Sequence, residues 1–243
     1  MRILSTVKFT ALRMIRNYIV LILLLVVPII LITFFSFILS GYVTDVGIPY
    51  INENAMTMVV VFQLFGGSIV MYLIHHDLFA ENKMRMYVIP FNQTMYAFSI
   101  MLCGAIYSIF LGILLMVYSQ FVLSVIWENW IWMTYIISLV AILSIIVCLI
   151  FMLSVKNYKI AERLSELYGV GFVVLAGLFF PMPNHAIFEF LGSYGNPVTL
   201  AMGAIRDMSI SNTSSAWFQA NILLVVIIFL FIVMLMVGRR KMG

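Results

Sequence analysis

His75-His76-Asp77, with Glu81 four residues on, is the one stretch where residue types that could hold a metal or move a proton adjoin. An adjacent His pair beside an apolar run also fits a solvated collar at a membrane exit, which is the simpler reading and leaves the site without metal. Cys103 and Cys148 lie inside apolar runs, have no CxxC partner and read as small buried hydrophobes. Glu189 and Arg206 share a stretch broken by Pro181, Pro183, Asn196 and Pro197, where they could pair across a turn. No G-x-x-x-x-G-K-[ST] occurs, so the chain has no P-loop of its own. No basic run interleaved with aromatics suggests a nucleic-acid footprint.

The elements that must position these residues are apolar. Of 243 residues, 65% are hydrophobic and 9% charged, far from the roughly 25% charge of a soluble domain. The solvent implied is lipid. Apolar runs at 18–39, 55–74, 97–125, 131–155, 167–180 and 217–237 predict an all-α polytopic fold with six spans, since roughly 20 helical residues cross a bilayer core. None of the six cores contains Asp, Glu, Lys, Arg or His. A charge at mid-depth costs about 2.5–3.5 kcal/mol on insertion scales and is kept there for transport or catalysis. Its absence argues against a proton-coupled carrier, an intramembrane metalloprotease and a membrane phosphotransferase.

Six crossings put both termini on one side. Of the thirteen basic residues, that side holds all but Arg206, and by the positive-inside rule it is the cytoplasm. The expected setting is the plasma membrane of a bacterium, with both termini inside.

Four working parts follow. Residues 1–17 form an amphipathic pattern, with Ile3, Leu4, Val7, Ala11, Met14 and Ile15 on one face and Arg2, Thr6, Arg13 and Arg16 on the other. This suits an interfacial helix, or a basic flank that sets topology. The cytoplasmic loop 75–91 mixes Asp77, Glu81, Lys83 and Arg85 with Phe79 and Met86 and is closed by Pro90, which suits docking on a partner. Gly104, Ser108 and Gly112 make a small-residue stripe for close helix packing. Residues 181–209 are too apolar for a plain loop and too broken for a span. They predict a re-entrant pair of short helices at 185–191 and 197–207, the second capped by Asn196 with Pro197 in its first turn.

These features resemble the ABC-2 type permeases. The sharpest likeness is FFPMPNHAIFEFLGSYGNPVTLAMGAIRD: an apolar run into Phe180-Pro181, then Asn196-Pro197, then Ala204-Ile205-Arg206. Where the family's loop often carries Glu-x-Gly-Thr, this chain has Phe79-Ala80-Glu81-Asn82. The resemblance implies a single transmembrane domain over 1–243 that pairs with a second permease chain and with cytoplasmic P-loop ATPase subunits, which bind the ATP and Mg2+. It implies no enzyme activity in this chain. ATPase coupling would fall to Asp77, Phe79, Glu81, Lys83, Arg85, Met86 and Pro90 with Arg13 and Arg16. Met58, Phe62, Gln63, Phe65 and Ser68 would line the translocation path, with Gly171, Val174 and Leu178 opposite. Pro181, Pro183, Glu189, Asn196, Pro197 and Arg206 would shape an extracellular gate. A lining rich in Met, Phe and Leu suits amphipathic or lipidic cargo, and the small size and Met/Ile/Phe-rich character resemble permeases of Gram-positive exporters of small amphipathic peptides, such as the phenol-soluble modulin exporters; export of lipid, polysaccharide or drug stays open, as does an ion-coupled carrier or channel.

Overall fold

The computed structural model describes residues 10–14, 16–38, 41–42, 49–80, 93–178, 185, 190 and 192–242. Among them the fold is all-helical, with no strand. After a helical turn at 10–14 come α1 (Tyr18–Leu21, Ile22–Val26 and Val27–Ile38 in succession), α2 (Tyr50–Phe79), α3 (Gln93–Leu123), α4 (Trp130–Ser154), α5 (Tyr158–Leu175), α6 (Pro197–Ser209) and α7 (Thr213–Met242).

Among the described residues four helices are long and apolar enough to cross a membrane: α2, α3, α4 and α7, the last over Thr213–Arg240. The Ile22–Ile38 part of α1 is apolar but shorter. α5 begins with Lys159, Glu162, Arg163 and Glu166, so only its second half is apolar; of the run expected at 167–180, residues 167–175 form the end of this helix, which stops at Leu175 before Gly177 at φ +71°, and 179–180 lie outside the described residues.

Helices apolar all round carry little periodic signal, so their starts are marked by caps. Asn129, Asn157 and Asn196 each accept a backbone N–H of the first turn, from Trp132, Lys159 and Val198 at 3.0, 3.0 and 2.9 Å. Pro197 supplies the first turn of α6, where a missing N–H costs nothing. The expected cap and proline therefore stand where the sequence suggests. The partner helix expected at 185–191 lies almost wholly outside the described residues.

α4 is the central post. It packs against α2, α3, α5, α6 and α7, and 78% of its apolar window is buried, against 17% for α7. α2 is interrupted. Its regular turns stop at Gln63, residues 64–66 form a turn, and helix resumes at Gly67. The core divides at that place. Val59, Val60, Leu64, Trp132, Ile136 and Val140 belong to one buried cluster, and Ile69, Val70, Ile74, Ile100, Ile145 and Leu149 to another. Phe65, in the break, packs against both.

Candidate functional site

α2 carries polar chemistry at three levels: its Tyr50 end, its break and its Asp77 end. At the break, Ser144 of α4 replaces what the helix loses. Its hydroxyl donates to the Leu64 carbonyl and accepts the Gly67 N–H at 3.2 Å. Irregular backbone deep in a membrane is tolerated only where protein satisfies it, and here one hydroxyl serves both groups. The fit leaves no slack: a Cβ on Gly67 would lie 2.5 Å from the Ser144 carbonyl oxygen. Beside the break Gln63, fully buried, accepts the Ser108 hydroxyl at 2.8 Å and lies against Gly112, where a Cβ would approach its Nε2 to 2.5 Å. The small stripe Gly104, Ser108, Gly112 is thus the face of α3 that admits α2, with Val70 seated on Gly104.

At its other end α2 widens into a π-turn, His75–Phe79, of the kind often found at functional sites. This turn brings Asp77 inward, to 3% side-chain exposure. Arg13 Nη1 donates to both carboxylate oxygens at 2.9 and 2.7 Å, and the Tyr96 hydroxyl donates to Oδ2 at 2.8 Å. His76 Nδ1 lies 3.2 Å from both Arg13 Nη2 and Asp77 Oδ1. Burial pulls the Arg13 guanidinium pKa down, but the hydrogen bond and charge of Asp77 more than reverse this and hold it above the ordinary arginine value. His75 turns elsewhere, stacking on Tyr158 of α5 at 4.2 Å and on Phe79. Among the described residues no three His, Cys, Asp or Glu side chains converge.

Three elements meet in this inner latch. Asp77 stands shortly before residues 81–92, which lie outside the described residues, and Tyr96 shortly after them. Arg13 joins them from the N-terminal turn, where Met14 is fully buried beside Gly104. Residues 10–14 are thus docked on α2 and α3 by one apolar and one charged side chain, while Leu12 and Arg16 stay exposed.

Near its Tyr50 end α2 meets α6. Glu53 pairs with Arg206 of α6. The partner expected for Arg206, Glu189, lies outside the described residues; the described partner belongs to α2. α6 is held by further polar clips. The buried Asn196 donates from Nδ2 to the Phe172 carbonyl of α5 at 2.8 Å, and the Trp132 indole donates to the Ala204 carbonyl at 3.0 Å. Asp207 accepts Ser215 and Gln219 of α7. Beside this end a cleft of about 430 Å³ opens, lined by Asn52, Met56, Trp127, Glu128, Trp132 and Met133 among others.

The expected site residues therefore separate. Met58, Phe62 and Phe65 are half-buried along α2, and Ser68 is exposed; Gln63 faces α3 instead of sharing their side. Phe65 rests on Gly169 of α5, and a Cβ on Gly171 would meet nothing within 4 Å, so open space adjoins α5 there. Val174 and Leu178 are half-buried, Leu178 against the cluster that contains Trp132. Glu81, Lys83, Arg85, Met86 and Pro90, like Pro181, Pro183 and Glu189, lie outside the described residues. Sequence reasoning placed Ser108 on the packing stripe without its hydrogen bond to Gln63, and missed Tyr96, Ser144 and Glu53. The one available signal was Gln63, a lone amide in an apolar run, which needs a partner and finds one on the small stripe of α3.

Comparison of the chain with models of known protein families, with curated proteins and with solved structures finds no match.

Proposed function

We propose that this chain is the permease subunit of an ABC-2 type exporter in a bacterial plasma membrane. In this reading it crosses six times with both termini in the cytoplasm, and α6 belongs to a re-entrant segment on the outer side. A second permease chain completes the path. A separate P-loop ATPase, with its ATP and Mg2+, docks on the loop at 75–91 and on the N-terminal segment and supplies the work. The cargo is hydrophobic or amphipathic, with small amphipathic or antimicrobial peptides the best fit to a path flanked by Met58, Phe62 and Phe65.

The observation that carries this reading is the tie between Asp77 and Tyr96, which bracket the loop, and Arg13 of the N-terminal turn. A partner pressing on the loop would move both flanks and the N-terminal turn together. The force would enter the half of α2 that lies on the near side of its break. The two halves of α2 belong to two core clusters, bridged by Phe65 and also by Leu25, Phe151, Ile227 and Leu230, and in this reading the near half tilts relative to the other. Conformational work of this kind needs a bistable element, and in this reading the interrupted α2 takes that role.

The test is reconstitution in vesicles of the chain alone and with a candidate ATPase encoded beside it. Export of an amphipathic peptide that needs both proteins and ATP supports the proposal. Pumping by the chain alone sinks it. One observation favours a second reading: Asp77 is a buried carboxylate, the group an ion-coupled carrier uses. Transport driven by a proton gradient without ATPase, and abolished in Asp77→Asn, would establish that alternative.

A further inference from the structure

At the Asp77 end of the bundle, α2, α3, α4 and α7 part to leave a lateral groove of about 330 Å³. Its walls are apolar, formed by Ala97 and Met101 of α3, Leu149 and Met152 of α4 and Met234 of α7. Arg239, about one turn beyond Met234, stands at the lip. Its side chain is exposed, and no carboxylate among the described residues pairs with it. Arg240 and Lys241 follow in sequence, so this end of α7 is a run of positive charge.

Two observations decide what fills such a groove. First, the helix faces beside it are exposed and apolar: Phe98 on α3, and Ile232, Leu235 and Met236 on α7. In a chain of this composition those faces meet acyl chains, so the groove opens sideways into lipid. Water has too few polar partners on such walls to fill it. Second, the cation at the lip, Arg239, pairs with no carboxylate among the described residues and belongs to the basic end of α7. A guanidinium binds phosphate oxygens with two parallel hydrogen bonds, and basic pockets between membrane helices recognise anionic head groups.

We propose that this groove binds one anionic phospholipid, with an acyl chain against Met101, Leu149, Met152 and Met234 and the head-group phosphate on Arg239. Unbranched, polarizable methionines suit a chain that must adapt its bends to the wall. The lipid would extend the packing of α7, only 17% of whose apolar window is buried, against the central post α4. The proposal needs only a membrane setting and is independent of the exporter reading.

The test uses the full chain reconstituted in nanodiscs of equal phosphatidylcholine and phosphatidylglycerol, then stripped with mild detergent. Mass spectrometry counts the lipid retained per chain. Phosphatidylglycerol should be kept about fivefold over phosphatidylcholine, the preference expected of one basic residue at the surface. Arg239→Ala, at an exposed position that folding does not need, should bring the ratio to near one. Met101→Trp, which fills the groove, should lower retention of both lipids. Equal retention in the unaltered chain, or a preference untouched by Arg239→Ala, overturns the proposal. So does unchanged lipid retention in a folded Met101→Trp chain; if that variant fails to fold, the Arg239→Ala ratio decides.

Discussion

Asp77 and Glu53 sit toward opposite ends of one helix, and each meets an arginine from another element. Their settings differ. The Asp77 side chain is 3% exposed and Glu53 28%; Arg13 is 40% exposed and Arg206 54%. Asp77 accepts from both Arg13 and Tyr96, and His76 lies against the pair. Glu53 and Arg206 keep access to water. An exposed pair contributes roughly 0–1 kcal/mol and weakens with salt, whereas a buried carboxylate stripped of its donors is costly. The inner latch therefore holds structure. The Glu53–Arg206 pair sets geometry at little energetic cost.

The comparison depends on the two halves of α2 being separate bodies. Gly67→Val attacks the joint between them. Its side chain would collide with the α4 backbone at Ser144, which has no rotamer to escape into. The expected loss is about 3 kcal/mol, the upper part of the usual overpacking range, read as a lowered thermal midpoint of the detergent-purified chain. An unchanged midpoint would mean that α2 and α4 are not locked together at the break.

Asp77→Ala comes next. It removes the acceptor from Arg13 and Tyr96 at once. Arg13 is partly solvated and recovers some hydration, so the expected cost is about 2 kcal/mol. Arg13→Ala should cost a similar amount, and the double variant should cost far less than the sum. Additive losses would show that the two side chains do not share one interaction. If the inner pair is coupled to an ATPase as well, both variants should also raise ATP hydrolysis that moves no cargo.

Ser144→Ala is milder. It leaves the Leu64 carbonyl and the Gly67 N–H without their shared partner, a loss of about 1–2 kcal/mol. Ser144→Thr keeps the hydroxyl and should recover part of it. If neither change moves the midpoint, the break in α2 is held by packing alone.

How much of this was open to sequence reading follows from what lipid does to sequence. The apolar runs at 97–125, 131–155 and 217–237 fall on α3, α4 and α7, because a bilayer demands length and apolarity and flanking charges mark the ends. Asn196 announced α6, since a cap needs only its neighbours. Rank within the bundle was hidden. α4 and α7 are equally apolar, yet one is the centre and the other faces outward, because protein interior and acyl chains ask for the same side chains. The break in α2 was hidden too: Leu64-Phe65-Gly66-Gly67 reads as an ordinary stretch of span until Ser144, far away in sequence, is placed beside it. Both ion pairs join distant segments, Arg13 to Asp77 and Arg206 to Glu53, and single-residue charges carry no record of their partners.

Arg206→Glu should have the smallest effect on stability and so sharpens the contrast most. It sets two carboxylates against each other near the Tyr50 end of α2, at a site open to water, and the expected change is about 1 kcal/mol or less. That change should shrink further in high salt, which the Asp77→Ala loss should not do. Transport is another matter. If the Glu53–Arg206 contact holds α6 against α2 in one of two conformations, repulsion there favours the other, and export should fall several-fold or become leaky while the chain stays folded. The reversed pair, Glu53→Arg with Arg206→Glu, should restore both the contact and export. A swap that leaves export as low as the single variant would show that Arg206 acts through some group other than Glu53, and the likeness between the two ends of α2 would then be one of appearance.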